Sequence, residues 1–374
     1  MTQENLTVNK SLKVSKKEIL DDFLLMNVSR NISYIGRKEV FMGRAKFGVF
    51  GDGKELPQIA MSKFFRNGDF RSGYYRDQTF MMSINQLTPD QFFAQLYAHT
   101  DIKKDPHSGG RQMNCHFGTR LLNENGEWKT QTDMTNSVSD ISCVSGQMPR
   151  IVGLAYASKL YRNNKNLSDM ENFSINGNEV VFGTIGDAST SEGHFWEAIN
   201  ACGVLQVPLI MSIWDDGYGI SVPSEYHTTR NDLSKALSGF QRSSKKENGY
   251  EIFTVHAWDY INLLKTYQKA EKLAREDHVP CIIHVKDVTQ PQGHTTSGSH
   301  ERYKSKERLN WEKDFCCIKR MREWIIENNF ASNSEIDIIE KNAEEIAKKS
   351  RDRSWKSYRD DIKEDFDDAI AVIT

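Results

Sequence analysis

Residues 179–221, EVVFGTIGDASTSEGHFWEAINACGVLQVPLIMSIWDDGYGIS, decide the fold. Glu179 to Ile185 is a short apolar run rich in β-branched residues, the pattern of a buried strand. It stops at the turn signal Gly186-Asp187-Ala188. Ser191 is placed to cap a helix in which Phe195, Ile199 and Cys202 recur at helical spacing. That helix is expected to end near Gly203. Pro208 then opens a second apolar run, Leu209 to Trp214, closed by Asp215-Asp216-Gly217. Strand, helix and strand in so short a segment predict a right-handed βαβ unit with parallel strands.

This geometry has a chemical consequence. A helix of about 13 residues rises roughly 20 Å, about the length of a six-residue strand. The crossover returns the chain to the start of the second strand, so Asp187 and Asp216 both fall at carboxyl ends, where open α/β sheets bind ligands. Two carboxylates there suit a hard cation such as Mg²⁺, completed by phosphate oxygens. The alternative is that both are plain turn formers, and spacing alone leaves the two open.

Composition narrows the class. The 374 residues are 38% hydrophobic with a net charge of −2, enough for one large core. That balance gives no electrostatic ground for a nucleic-acid partner. No apolar run approaches the roughly 20 residues of a membrane span, and the N-terminus lacks an apolar signal core. The six cysteines show no C-x-x-C spacing, so reduced thiols and a cytoplasmic location are expected.

Along the chain, residues 1–14 are polar and expected to be mobile. Apolar spacing predicts a helix from Lys16 to about Arg30 and a second from Gly36 to about Ala45. Phe70 to Asp77 reads as an aromatic and basic loop, and Pro89 opens a helix. Asp105 to Gly118 is a glycine-rich loop containing His107 and His116. Asn125-Gly126 marks a hairpin turn. In the segment 142–157, Gly153, Ala155 and Ala157 predict a helix packed closely on a neighbour. Residues 222–249 form a polar loop over the site. A strand at Glu251–His256, a helix over 259–276 and a strand over 279–288 complete an open, mostly parallel α/β sheet with helices on both faces. Residues 290–303 are a glycine- and hydroxyl-rich loop. The remainder, 305–369, is charged and helical.

The central segment resembles the thiamine-diphosphate motif, Gly-Asp-Gly followed a little under thirty residues later by Asn-Asn. Its closest likeness is to the α subunit of 2-oxoacid dehydrogenases, the decarboxylating components of the pyruvate and branched-chain complexes. Here the motif stands as Gly186-Asp187-Ala188 and, 29 residues after Asp187, Asp216. Ala188 replaces the third glycine, and Asp215-Asp216 replaces Asn-Asn. Three further stretches match in order: Tyr75-Arg76 the family's Tyr-Arg-Glu loop, Ser142 to Pro149 its Ser-Pro-Leu-Ala-Thr-Gln-Ile-Pro run, and Gly293-His294 its Gly-His-Ser-x-Ser loop.

The resemblance covers roughly residues 35–305 and implies a thiamine-diphosphate fold. The arm 1–35 would precede a cofactor-binding domain at 36–305, with a helical extension at 306–374. It assigns Arg76, with Tyr75 beside it, and His294 to the diphosphate. Val144 supports the cofactor's bend with Ser142 as a neighbour, and Gly186 and Ala188 flank it. Asp187, Asp216 and the Tyr218 carbonyl would hold Mg²⁺. His294 and His116 are the candidate proton carriers, a structural histidine being the alternative for His116. Thr295 stands where some relatives carry a regulatory phosphoserine. Gly146 stands where some use Thr around a monovalent ion, which is not expected here.

The implied activity is oxidative decarboxylation of a 2-oxoacid, branched-chain favoured, with reductive acylation of a lipoyl carrier. The implied partners are a β subunit and the lipoyl-bearing acyltransferase, and the chain is expected to be inactive alone. With both Asp187 and Asp216 ionised, cofactor binding is expected to depend strongly on the metal. A transketolase-like or acetoin-type enzyme and a non-enzymatic α/β module are the rival classes.

Overall fold

A computed structural model describes residues 4–296 and 298–373. The chain begins with an antiparallel hairpin, β1 (Asn5–Asn9) and β2 (Leu12–Ser15), so the described part of the expected mobile segment is ordered. Val8 and Val14 anchor it in the core. Helix α1 (Lys16–Phe41) follows, with a capping box between Ser15 and Glu18. It runs unbroken through the gap expected between two helices, because nothing in Asn31–Ile35 breaks the helical pattern.

Next come α2 (Glu55–Ser62), β3 (Phe70–Ser72), α3 (Gln78–Ser83) and α4 (Pro89–Leu96). The Thr88 hydroxyl and the Gln91 side chain cap α4 reciprocally. After β4 (Asn136–Ser137) and α5 (Met148–Asn163) come β5 (Val181–Gly186), α6 (Gly193–Leu205) and β6 (Leu209–Trp214). A small hairpin, β7 (Tyr218–Gly219) and β8 (Val222–Pro223), leads through α7 (Leu233–Ala236) to β9 (Glu251–His256). Helix α8 (Tyr260–Asp277) and β10 (Cys281–Lys286) close the sheet. The chain ends in α9 (Lys306–Asp314), α10 (Cys317–Glu327) and α11 (Asn333–Ile373).

The main sheet has six strands in the order β4-β3-β5-β6-β10-β9, and every pair is parallel. Its central strands are buried on both faces, which explains their continuous apolar runs. Ile210 and Trp214 enter one core with Ile283, while Leu209, Met211 and Ile213 enter another with Phe195, Ile199 and Cys202 of α6. Helix α6 starts at Gly193, not after a Ser191 cap: Ser191 ends a 3₁₀ turn and donates to the His227 carbonyl instead. Gly153 of α5 is exposed, and a Cβ added there would meet nothing within 4 Å, so the expected close packing falls on buried Ala155.

Helices α1, α2, α10 and α11 share the first of these cores. Arg30 of α1 forms a buried two-pronged pair with Glu55 of α2, at 2.6 and 2.8 Å. Arg351 of α11 reaches Glu39 of α1 at 2.9 Å. Helix α1 crosses the expected boundary at residue 35 without interruption. All six cysteines are free, and no described helix is long and apolar enough to cross a membrane.

Candidate active site

A cleft of about 510 Å³ opens at the carboxyl edge of the sheet. The ends of five of the six strands, all but the edge strand β9, contribute to it, as a parallel sheet allows. The turn after β3 brings Tyr75 and Arg76, and the segment after β4 brings Ser142 and Val144. The turn after β5 brings Gly186, Asp187 and Ala188, that after β6 Asp216 and Tyr218, and the loop after β10 His294. His116 joins from the loop 105–118. All eleven expected site residues line this one cleft.

The turn after β3 is held by a buried ionic network. Arg71 is fully buried and donates to Asp77 at 2.7 and 2.9 Å, to Asp140 at 3.0 and 3.1 Å and to the Tyr74 carbonyl at 3.0 Å. Asp77 also accepts from the Tyr74 amide and from the Thr184 hydroxyl on β5. The stretch expected to be only a loop is therefore a strand end clamped from both sides. Arg76 then donates to the Phe50 carbonyl at 2.6 Å and the His294 carbonyl at 3.0 Å. Two of its five N–H groups are so engaged, and the guanidinium remains at the cleft.

His116 accepts at Nε2 from the Ser142 hydroxyl (3.0 Å). Its Nδ1 faces the Asn114 carbonyl at 3.1 Å, which accepts only and so assigns the proton to Nδ1. Its ring stacks with Tyr75. One hydrogen bond thus couples two residues expected to contribute separately. Val144 is exposed at the mouth.

Asp187 is buried, and its Oδ2 has no partner. Burial, reinforced by Asp216 and Asp215, pushes its carboxyl well above the usual carboxylate range. Asp215 itself is engaged by His284 at 2.7 Å, whose other nitrogen meets the Ser234 hydroxyl at 2.6 Å. That chain ties the 222–249 segment to the sheet. A buried, unpartnered carboxyl oxygen at a strand end fits a cation whose remaining ligands come from phosphate and water. Among the described residues no group of three or more His, Cys, Asp or Glu is gathered around a metal position.

Asp216 differs from the expectation of a bare second carboxylate. Its Oδ1 accepts from the Tyr218 amide at 3.2 Å, and Oδ2 meets His294 Nε2 at 3.2 Å and Lys54 Nζ at 3.3 Å. Burial opposes both charges and draws Lys54 below the usual lysine value. Yet His294 and Lys54 together hold the Asp216 carboxyl below the carboxylate range. Arg308 donates to the Asp216 carbonyl at 2.6 Å. His294 keeps Nδ1 buried and unpartnered at the cleft, a second polar atom awaiting a ligand.

The Ala188 departure also has a structural reason. A Cβ on Gly219 would lie 2.8 Å from the Ala188 methyl, so that methyl fills the space Gly219 leaves. Sequence reasoning missed Arg71, Asp77 and Lys54. The available signals were an arginine inside a strand and a lysine behind the glycine pair Gly51 and Gly53.

The family model for the dehydrogenase E1 component matches residues 25–359. The chain is similar to the mitochondrial 2-oxoisovalerate dehydrogenase subunit alpha of Dictyostelium discoideum, 26% identical over 95% of this chain and 71% of that protein. Its likeness to the human protein of the same name is 25%, over 81% of this chain and 58% of the relative. The pyruvate dehydrogenase E1 component subunit alpha of Rickettsia bellii is 27% identical over 57% of this chain and 58% of its own length. Against the human and Rickettsia relatives the chain thus spans less than two thirds of their length. The expected affinity with 2-oxoacid dehydrogenase α subunits is borne out at the level of the family: this chain belongs to the dehydrogenase E1 components.

Proposed function

We propose that the chain is the α component of a decarboxylating 2-oxoacid dehydrogenase that binds thiamine diphosphate with Mg²⁺ in the cleft at the carboxyl edge of its sheet. One observation carries the reading. Residues from six separate segments, expected from motifs spread along the chain, line a single cleft that contains an unpartnered carboxyl oxygen and an unpartnered imidazole nitrogen. The relatives are named for 2-oxoisovalerate or pyruvate, and the branched-chain acid is favoured here.

In this reading Asp187, Asp216 and the Tyr218 carbonyl would hold the cation. Arg76 and His294 serve the diphosphate. An arginine suits that place because its planar fork matches phosphate oxygens. Bound thiamine diphosphate would supply the electron sink for decarboxylation. The chain's own part is to orient and neutralise the diphosphate, and to hold a proton on His116 through Ser142 and the Asn114 carbonyl. A β component would complete the site, and the acyl group would pass to a lipoyl-bearing acyltransferase.

The test is dye-coupled decarboxylation of 3-methyl-2-oxobutanoate and pyruvate by the chain with and without a β component. Turnover is expected only with both, and with the branched acid preferred. Full turnover by the chain alone would refute the two-component reading.

A further inference from the structure

Lys54 lies directly behind the cleft, at the N-terminal edge of α2. Its side chain is 1% exposed, and the ammonium meets Gln290 Oε1 at 2.6 Å besides Asp216 at 3.3 Å. The loop that carries it is built for this reach. Gly53 has φ +93°, and a Cβ there would fall 1.7 Å from the Thr289 carbonyl oxygen. A Cβ on Gly51 would fall 2.3 Å from the Arg76 carbonyl oxygen. Asp52 accepts from the Gln292 amide at 3.0 Å, and Gly53 donates to Glu55 at 3.0 Å. Only glycine allows the chain to pass so close to both backbones. The loop is thereby wedged between the turn after β3 and the loop after β10.

The motif that Asp216 occupies normally holds a neutral amide. A carboxylate there adds one negative charge beside an anionic diphosphate, a repulsion that low dielectric magnifies. Lys54 adds one positive charge to the same carboxylate from a buried position that does not line the cleft. Without Lys54 the buried Asp216 Oδ2 would keep only His294 Nε2, at 3.2 Å, as a side-chain partner, and losing one member of a buried pair is costly.

We propose that Lys54 is a positioning residue that neutralises Asp216 from behind, so that the Lys54–Asp216 pair does the work of the motif's neutral amide. This rests on reading the cleft as the thiamine-diphosphate site. Lys54 touches neither cofactor nor substrate and acts through the carboxylate. The charge that Asp216 adds is therefore cancelled inside the protein, and the cleft needs no additional metal ion to tolerate it.

The experiment is a mutant cycle on the full chain, with the β component present. Thiamine diphosphate affinity is read by calorimetry at saturating Mg²⁺, and thermal unfolding is read without cofactor. Lys54→Met is expected to weaken the cofactor about 10-fold or more, the cost of taking a charged partner from a buried carboxylate. In the Asp216→Asn background the same substitution is expected to change affinity less than threefold and to recover the unfolding temperature. A lysine that merely fills space would lose equally in both backgrounds, and that result overturns the proposal. If Lys54→Met does not fold, the double variant is expected to fold and bind, and its failure to fold overturns the proposal as well. Absence of saturable binding by the unchanged chain overturns the site reading, and this proposal with it.

Discussion

Arg71→Leu is expected to damage the site from a distance. The guanidinium is fully buried and holds two carboxylates, Asp77 and Asp140, together with the Tyr74 carbonyl. Leucine keeps much of the volume but leaves both carboxylates facing each other without a counter-charge. Breaking a buried pair in this way costs about 3–5 kcal/mol. At roughly 2.1 cal/mol/K of unfolding entropy per residue, a chain of this length loses about 4–6 °C in melting temperature for that cost. The turn that carries Tyr75 and Arg76 hangs on the same network, so cofactor affinity should fall further than stability explains. Calorimetry with thiamine diphosphate well below the new melting temperature separates the two effects. A triple variant adding Asp77→Asn and Asp140→Asn should regain most of the stability without regaining the turn. A melting shift under about 1 °C together with unchanged affinity would refute the reasoning.

Asp187→Asn should stabilise the cofactor-free chain by about 1–3 kcal/mol while abolishing metal-dependent cofactor binding, because it removes a buried, unpartnered carboxylate. The folded carboxyl titrates above its unfolded value, so the stability it contributes is lost as pH rises through the folded value, and the gain from Asn should be larger at pH 8 than at pH 5. Gly219→Ala should cost about 1–3 kcal/mol by pushing a methyl against Ala188, and adding Ala188→Gly should restore the melting temperature. Burial pushes the His278 imidazole down to about 4. Its neutral form is favoured in the fold, so stability is complete above about pH 6.5 and falls as pH drops toward the folded value. His278→Asn, which tolerates the left-handed backbone there, should flatten that acid limb in melting scans.

Much of the sheet was legible because its signals are local. The runs Leu209–Trp214 and Glu251–His256 coincide with β6 and β9, the first almost wholly apolar and the second rich in β-branched and aromatic residues, both of strand length. Helix ends were less so. Ser191 looks like a cap in sequence, yet its hydroxyl finds the His227 carbonyl, a partner 36 residues away. The short strands β3 and β4 escaped notice because two or three residues carry no periodicity. The cleft residues were found through motifs, which record what faces a ligand. Lys54 and Arg71 stand one layer behind, and their partners lie as far as 236 and 69 positions along the chain. No spacing in the sequence reveals such pairs before the fold brings them together.

The central claim is that the carboxyl-edge cleft binds thiamine diphosphate through Arg76 and His294 with a cation at Asp187. Calorimetric titration of thiamine diphosphate with Mg²⁺ into the chain and its β component tests it most directly. The expected result is one saturable site per chain, weakened roughly 10- to 150-fold by Arg76→Ala or His294→Ala, the cost of a lost charged hydrogen bond of about 1.5–3 kcal/mol. No saturable binding, or affinity unchanged in both variants, would contradict it.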